Sequence, residues 1–271
     1  MSSTLLFFIA AAQLALVIGG MMLLWRLGLS AKARAMPVAL GPWEISVTDF
    51  FMMLWFVIAG GFIAPFTAGL WFKHHPVPTD AAVIYSTALF HAGMLAGVLV
   101  FRATIGRRGA ANPVPNVRPP PNPILAGIAT YLVTLPVVLG TSLLWQLLLK
   151  VCNVPAPQQE AIDILRSAHG LPQIVLLGSA IILAPFTEEL IFRAGIFRYS
   201  RTRIPRWAAL ILPAALFSAM HMNLASFVPL IALGVVFALA YERTGRISTT
   251  IIAHALFNLT TTMLVLAGID V

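Results

Sequence analysis

Leu176–Arg193 reads LLGSAIILAPFTEELIFR. Its first two-thirds are as apolar as the inside of a bilayer, yet Glu188, Glu189 and Arg193 follow within the same run. A charged side chain at mid-membrane costs about 2.5–3.5 kcal/mol on insertion scales, so such residues turn toward the interior of a helix bundle and mark a site. The stretch therefore predicts both a membrane-crossing helix and a polar face on it.

Comparable apolar runs lie at 4–25, 50–71, 81–101, 124–149, 172–192, 204–223, 225–241 and 248–268. Each approaches the roughly 20 residues that a bilayer crossing needs. Of 271 residues, 59% are hydrophobic and only 10% charged, with a mean hydropathy of +0.92, which excludes the soluble globular class. The fold predicted is all-α, a polytopic transmembrane bundle of about eight helices. Arg206, Pro213, Pro229 and Gly234 punctuate the last three runs, and bundles tolerate such breakers because neighbouring groups re-satisfy the backbone.

The net charge of +8 is not a nucleic-acid footprint, because 14 of the 17 basic residues fall in alternate connections. Arg26, Lys32 and Arg34, then Arg102, Arg107, Arg108 and Arg118, then the set from Arg193 to Arg206, and finally Arg243 and Arg246 occupy the odd-numbered loops. The even-numbered loops hold only Lys73, Lys150 and Arg166. The positive-inside bias places the odd loops in the cytoplasm and both termini outside, in a multi-pass cell-membrane protein. The basic residues near Thr4–Trp25 follow the apolar stretch instead of preceding it, which reads as a retained first helix and not a signal peptide. A lone cysteine, Cys152, rules out an intramolecular disulfide and reads as a packing residue near a helix end.

Gly106–Pro123, GRRGAANPVPNVRPPPNP, is too rich in proline for a helix and reads as a semi-extended cytoplasmic linker. It divides an N-terminal part, 1–122, from a C-terminal part, 123–271, in which the polar motifs cluster at about 172–268. Pro157–His169 alternates polar and apolar faces and suits a short interfacial helix.

At i,i+4 spacing Glu189 and Arg193 pair on one helix face. Glu188 is turned about 100° away and is left as the candidate for chemistry, because two carboxylates for one arginine leave a charge unexplained. Phe217 and His221 end the sixth run, and His254 and Asn258 share a face of the eighth. Depth is consistent only if the fifth helix continues to about Arg201, which puts Glu188 roughly 20 Å from its cytoplasmic end and His254 and Asn258 about 10–17 Å above Arg246.

These residues form three ordered motifs: Glu188-Glu189-x-x-x-Arg193, Phe217-x-x-x-His221 and His254-x-x-x-Asn258. In that order they resemble the CPBP membrane endopeptidases, which include type II CAAX prenyl proteases of the Rce1 kind and bacterial immunity or bacteriocin-processing (ABI) homologues. The resemblance covers about 180–260 and implies peptide-bond hydrolysis within the membrane. It implies Glu188 and His221 as the groups that orient and deprotonate a water, His254 and Asn258 as oxyanion stabilisers, Arg193 as the brace of Glu189, and Phe217 as cavity wall. A carboxylate withdrawn from bulk water is a better base, and Asn and His are suitable donors to developing negative charge.

The same atoms offer a second use, since Glu188, His221 and His254 compose the His₂Glu set of a catalytic zinc. The motif HExxH is absent, so metal-free water activation with no cofactor is favoured and zinc is the alternative. The partners expected are the bilayer and a membrane-embedded or membrane-proximal peptide or protein, prenylated and CAAX-like among the options, and no nucleic acid; oligomeric state is not legible. Two readings from other classes remain: a catalytically silent scaffold or immunity factor, and a cation- or proton-coupled transporter. Lys73-His74-His75 with Asp80 reads as a solvated loop and not a metal cluster, His91 as a structural hydrogen-bonder, and Glu44 and Asp49 as residues leading into a helix.

Overall fold

The computed structural model describes residues 3–105, 121–155 and 160–269. Among them there are helices and connections but no strand. In chain order the helices are α1 (Ser3–Leu24, continued by a π-helical turn Trp25–Leu29), the short α2 (Ala31–Arg34), α3 (Val47–His74), α4 (Thr79–Thr104) and α5 (Pro123–Val151). They are followed by α6 (Glu160–Ser167), α7 (Gly170–Ser200), α8 (Arg206–Ala219), α9 (Phe227–Thr244) and α10 (Ile247–Leu266). Seven are long and apolar enough to cross a membrane: α1, α3, α4, α5, α7, α9 and α10.

The eighth expected crossing, 204–223, is shorter than predicted. α8 runs 14 residues, about 21 Å, against a hydrocarbon core of about 30 Å. It stops where His221 N–H donates to Ser218 O at 3.1 Å, tightening the last turn, and where Met222 takes a left-handed φ of 48°. Asn223 Oδ1 then accepts from Ser226 N–H at 2.9 Å, and Ser218 Oγ donates to Phe227 O at 2.6 Å. These bonds tie the end of α8 to the start of α9.

The other helix limits have local causes. Ser46 Oγ accepts from Asp49 N–H at 3.0 Å to start α3, and Asn122 Oδ1 accepts from Ile124 N–H at 2.9 Å ahead of Pro123 to start α5. These are the side chains that best satisfy first-turn N–H groups. Gly245 closes α9 at φ 64° with its N–H on Tyr241 O, the left-handed C-terminal residue that glycine favours. Cys152 follows α5 and is exposed, not packed. The interfacial helix expected at 157–169 forms as α6, with Leu165 buried and Asp163 and Arg166 exposed; residues 157–159 lie outside the described residues. So does the proline-rich linker over 106–120.

Two compact units emerge. One holds α1, α2, α5, α8, α9 and the first turns of α10; the other holds α3, α4, α6, α7 and α10 from His254 onward. In the first unit α5 packs against both α1 and α9. In the second, α3 and α4 form the most extensive helix pair, and α4 also packs along the first half of α7. The α3–α4 crossing is close because Gly60 meets Gly93, and Gly97 meets the backbone of Phe56. A Cβ on any of them would collide with the opposing carbonyl, the small-residue approach common between membrane helices.

The second unit also anchors the far end of α7. Arg203 donates to the carbonyls of Ile45 at 2.7 Å and Tyr199 at 2.9 Å and lies 3.9 Å above the Tyr199 ring. That ring stacks on Phe50 with centroids 3.8 Å apart, in a core with Ile45, Met53 and Phe101. A residue expected to act only through topological charge therefore pins the start of α3 to the end of α7.

Candidate active site

α7 is not a uniform α-helix. Ser179–Leu183 and Glu189–Phe197 are π-helical and bracket an α-helical turn, Ala184–Glu188. Helix limits on α7 reach Ser200, as the depth argument required. Pro185 accounts for the first wide stretch. It has no N–H, and in a regular α-helix its ring would strike the carbonyl four residues back. Widening relieves that contact, and Ala184 N–H then bonds Ser179 O. Ala180 O thus loses both helical partners, since Ala184 donates elsewhere and Pro185 cannot donate. Asn258 supplies the missing donor, its Nδ2 lying 2.8 Å from Ala180 O.

That contact fixes α10 against α7, and His254 stands one turn earlier on the same face. Its Nδ1 lies 2.9 Å from Glu189 Oε1, and its Nε2 lies 3.6 Å from Glu188 Oε2. Arg193 reaches the same Glu189 oxygen at 3.0 Å. Glu189, Arg193 and His254 are buried, and Glu188 is 13% exposed. A carboxylate is acceptor-only, so the proton on Nδ1 belongs to the bond with Glu189, an assignment by partner and not by observed hydrogens. Nε2 is then the nitrogen that faces Glu188. When it too is protonated, Glu188, Glu189, Arg193 and His254 sum to zero, and the charge left over from two carboxylates and one arginine is balanced.

The i,i+4 pair and the π-helical geometry meet at one point. Glu189 opens the wide stretch and Arg193 lies inside it. Gly195, two residues on, has Met53 of α3 pressed against it so that an added Cβ would stand 2.9 Å from the methionine Cε. Arg193 itself is 2% exposed, which leaves it little room to leave its carboxylate.

His221 and Phe217 belong to the first unit. His221 N–H bonds Ser218 O at 3.1 Å, and His221 Nδ1 lies 2.9 Å from Phe217 O. The two rings meet edge to face with centroids 4.9 Å apart. A carbonyl accepts only, so Nδ1 carries the proton and Nε2 of a neutral ring is a lone-pair acceptor. Phe217 is buried and His221 partly exposed. The i,i+4 spacing of the Phe217/His221 motif thus has a local meaning: the first residue's carbonyl sets the tautomer of the second.

The second unit joins Glu188, Glu189, Arg193, His254 and, through Ala180, Asn258. Glu188 and His254 are two of the three ligands that a His₂Glu zinc centre requires, and among the described residues no three His, Cys, Asp or Glu side chains group closely enough to hold a metal ion. The third, His221, belongs to the first unit. In the connection between α3 and α4, His75 stacks on Trp71 at 3.8 Å. His91 is partly buried on α4, its ring edge to face with Phe90. The role of Ala180 and Pro185 escaped the sequence reading, although a proline five residues after a helical carbonyl is a legible signal. Buried Glu242 on α9 also escaped it.

Residues 170–260 match the family described as type II CAAX prenyl endopeptidase, Rce1-like, a range that holds all three motifs. Two curated proteins are similar over part of the chain. "Putative membrane peptidase YdiL" of Bacillus subtilis (strain 168) is 32% identical over 95 residues, 35% of this chain and 38% of that protein. "UPF0177 protein YbdI" of Lactococcus lactis subsp. lactis (strain IL1403) is 34% identical over 80 residues, 29% of this chain and 42% of that protein. The chain thus spans about two-fifths of the length of the curated relatives it matches. No solved structure matches.

Proposed function

We propose that this multi-pass membrane protein is an endopeptidase that hydrolyses a peptide bond lying in or beside the bilayer, using a water activated by Glu188 without a metal. One observation carries the reading: His254 is clamped between Glu189 at 2.9 Å and Glu188 at 3.6 Å, with Arg193 behind Glu189 at 3.0 Å. A purely structural ion pair needs only Glu189 and Arg193. The additional carboxylate faces an imidazole whose other nitrogen is already held, which is the base-and-orienter logic of hydrolytic sites.

In this proposal Glu188 takes a proton from water as its oxygen bonds the scissile carbonyl carbon, and the electron pair moves to the carbonyl oxygen. His254 Nε2–H, oriented by Glu189, donates to that oxyanion. The proton on Glu188 then passes to the amide nitrogen as the C–N bond breaks. The resemblance assigns His221, with Nε2 as acceptor, to the orientation of the water. Asn258 has one N–H on Ala180 O and acts as a positioning residue for His254, a role that replaces the oxyanion contact implied by the resemblance. The charge bias of the arginine-rich loops supports a cytoplasmic end for α7. The family match makes a prenylated carboxyl-terminal peptide the first substrate to try.

The test is cleavage of a labelled membrane-peptide library by purified protein with and without chelator, comparing wild type with Glu188→Gln. Expected are a loss of about 10²–10⁴-fold in the variant and no response to chelator. Full activity in the variant overturns the assignment. Loss on chelation, restored by zinc, transfers the water to a metal. Absence of cleavage by folded wild type across the library favours the scaffold reading.

A further inference from the structure

Away from the polar site, α3 and α4 continue toward the turn that joins them. They touch at Gly60, Gly93 and Gly97, but toward the connecting turn bulky rings replace the glycines. Phe62 meets Phe90 edge to face at 6.2 Å, and Phe72 meets Tyr85 at 6.4 Å. Pro65 lies inside this half of α3 and removes a rung of its hydrogen-bond ladder. Between the two helices runs an open groove of about 550 Å³, lined by Phe62, Pro65, Gly69 and Phe72 on one wall and by Val83 and Phe90 among others on the opposite wall. Its few hydroxyls offer little to a polar ligand, since Thr87 Oγ1 donates to Val83 O at 2.9 Å within its own helix.

Three features choose the occupant. The groove lies on membrane-crossing helices, where acyl chains are the solvent. From Phe62 to Phe72 it extends about 15 Å, half of a hydrocarbon core of about 30 Å, the depth of one leaflet and so of one chain. Its polar end carries a cation: Lys73 follows groove-lining Phe72 directly and is exposed. Asp80 sits in the first turn of α4, where the helix N-terminus compensates it, and the ring of His75 is stacked on Trp71. Trp71 and Lys73 together are the aromatic and basic pair that marks a headgroup boundary.

We propose that this groove is a binding site for one acyl chain of an anionic glycerophospholipid whose phosphate lies at Lys73. Gly69 is the opening through which it can be tested, because a Cβ there meets nothing within 4 Å. Gly69→Leu fills the groove without touching backbone.

The full chain is reconstituted in phosphatidylcholine vesicles doped with phosphatidylglycerol bearing a diazirine on one acyl chain, irradiated, and its adducts mapped by peptide mass spectrometry. Adducts should concentrate on residues 62–90 of the wild type. Gly69→Leu should reduce them about tenfold or more. Lys73→Gln should reduce them about fivefold while leaving labelling by a diazirine phosphatidylcholine unchanged. Thermal unfolding in detergent checks each variant, and Ala82→Leu on the opposite wall is a second filler should Gly69→Leu fold poorly. The wild-type map is decisive alone: adducts spread evenly over the exposed faces of α1, α3 and α5 overturn the site. Undiminished labelling of a folded filler overturns it equally, and equal loss of both lipids in Lys73→Gln overturns the phosphate contact.

Discussion

His221 and His254 are the same side chain at the same motif spacing from a partner, yet the two regions that hold them solve different problems. At the end of α8 the helix runs out, and the His221 ring reaches back to Phe217 O. There a neutral carbonyl holds Nδ1 of a partly exposed ring. In the middle of α10 no backbone group is free. His254 is buried and its Nδ1 is held by a carboxylate that also binds an arginine. Here the acceptor is a carboxylate, not a carbonyl. The partner on Nδ1, not the histidine itself, separates an acceptor from a donor.

Breaking the charged side of this contrast has the largest effect. Arg193→Ala takes the guanidinium away from buried Glu189, and removal of one member of a buried pair costs about 3–5 kcal/mol. Folded yield and thermal midpoint in detergent should both collapse, and a yield equal to wild type contradicts the brace. Next come the two histidines. His221→Ala and His254→Ala should each lower cleavage by about 10²–10⁴-fold, but only His254→Ala should also lower the thermal midpoint, because it alone removes a donor from a buried carboxylate. If both variants are equally stable, the difference drawn between the two rings is wrong. Asn258→Ala is milder. It leaves Ala180 O without its side-chain donor at about 1–3 kcal/mol and should lower stability and turnover together, whereas a residue acting purely on the oxyanion would lower turnover alone.

Much of this was readable from the chain because hydropathy and spacing are local. The crossing helices form where their apolar runs lie, and α7 extends to Ser200 because Gly195–Tyr199 remains apolar enough to continue it. Glu189 and Arg193 were paired by spacing alone. α8 was overextended, since 204–223 is apolar throughout but its end is set by Met222 in a left-handed conformation and by the Asn223–Ser226 turn. The contact between His254 and Glu189 joins residues 65 positions apart, and no periodicity reports which helices become neighbours. The π-helical stretches were invisible for a related reason: a wide turn has the composition of an ordinary one and appears only when the bonding of each carbonyl is followed.

That accounting yields the smallest and most discriminating test. If Asn258 donates to Ala180 O because Pro185 has displaced the helical donor, then Pro185→Ala should let the backbone close this gap itself. The substitution supplies an N–H and relieves the ring contact that favours the wide turn. In its background Asn258→Ala should cost less than it does in wild type, with a coupling of about 1 kcal/mol in a double-mutant cycle read by thermal or denaturant unfolding. Additive losses would show that Asn258 and Pro185 act independently. The cause of the Ala180 contact would then have to be sought in α10 and not in the proline, while the geometry around Glu188, Glu189 and His254 would stand unchanged.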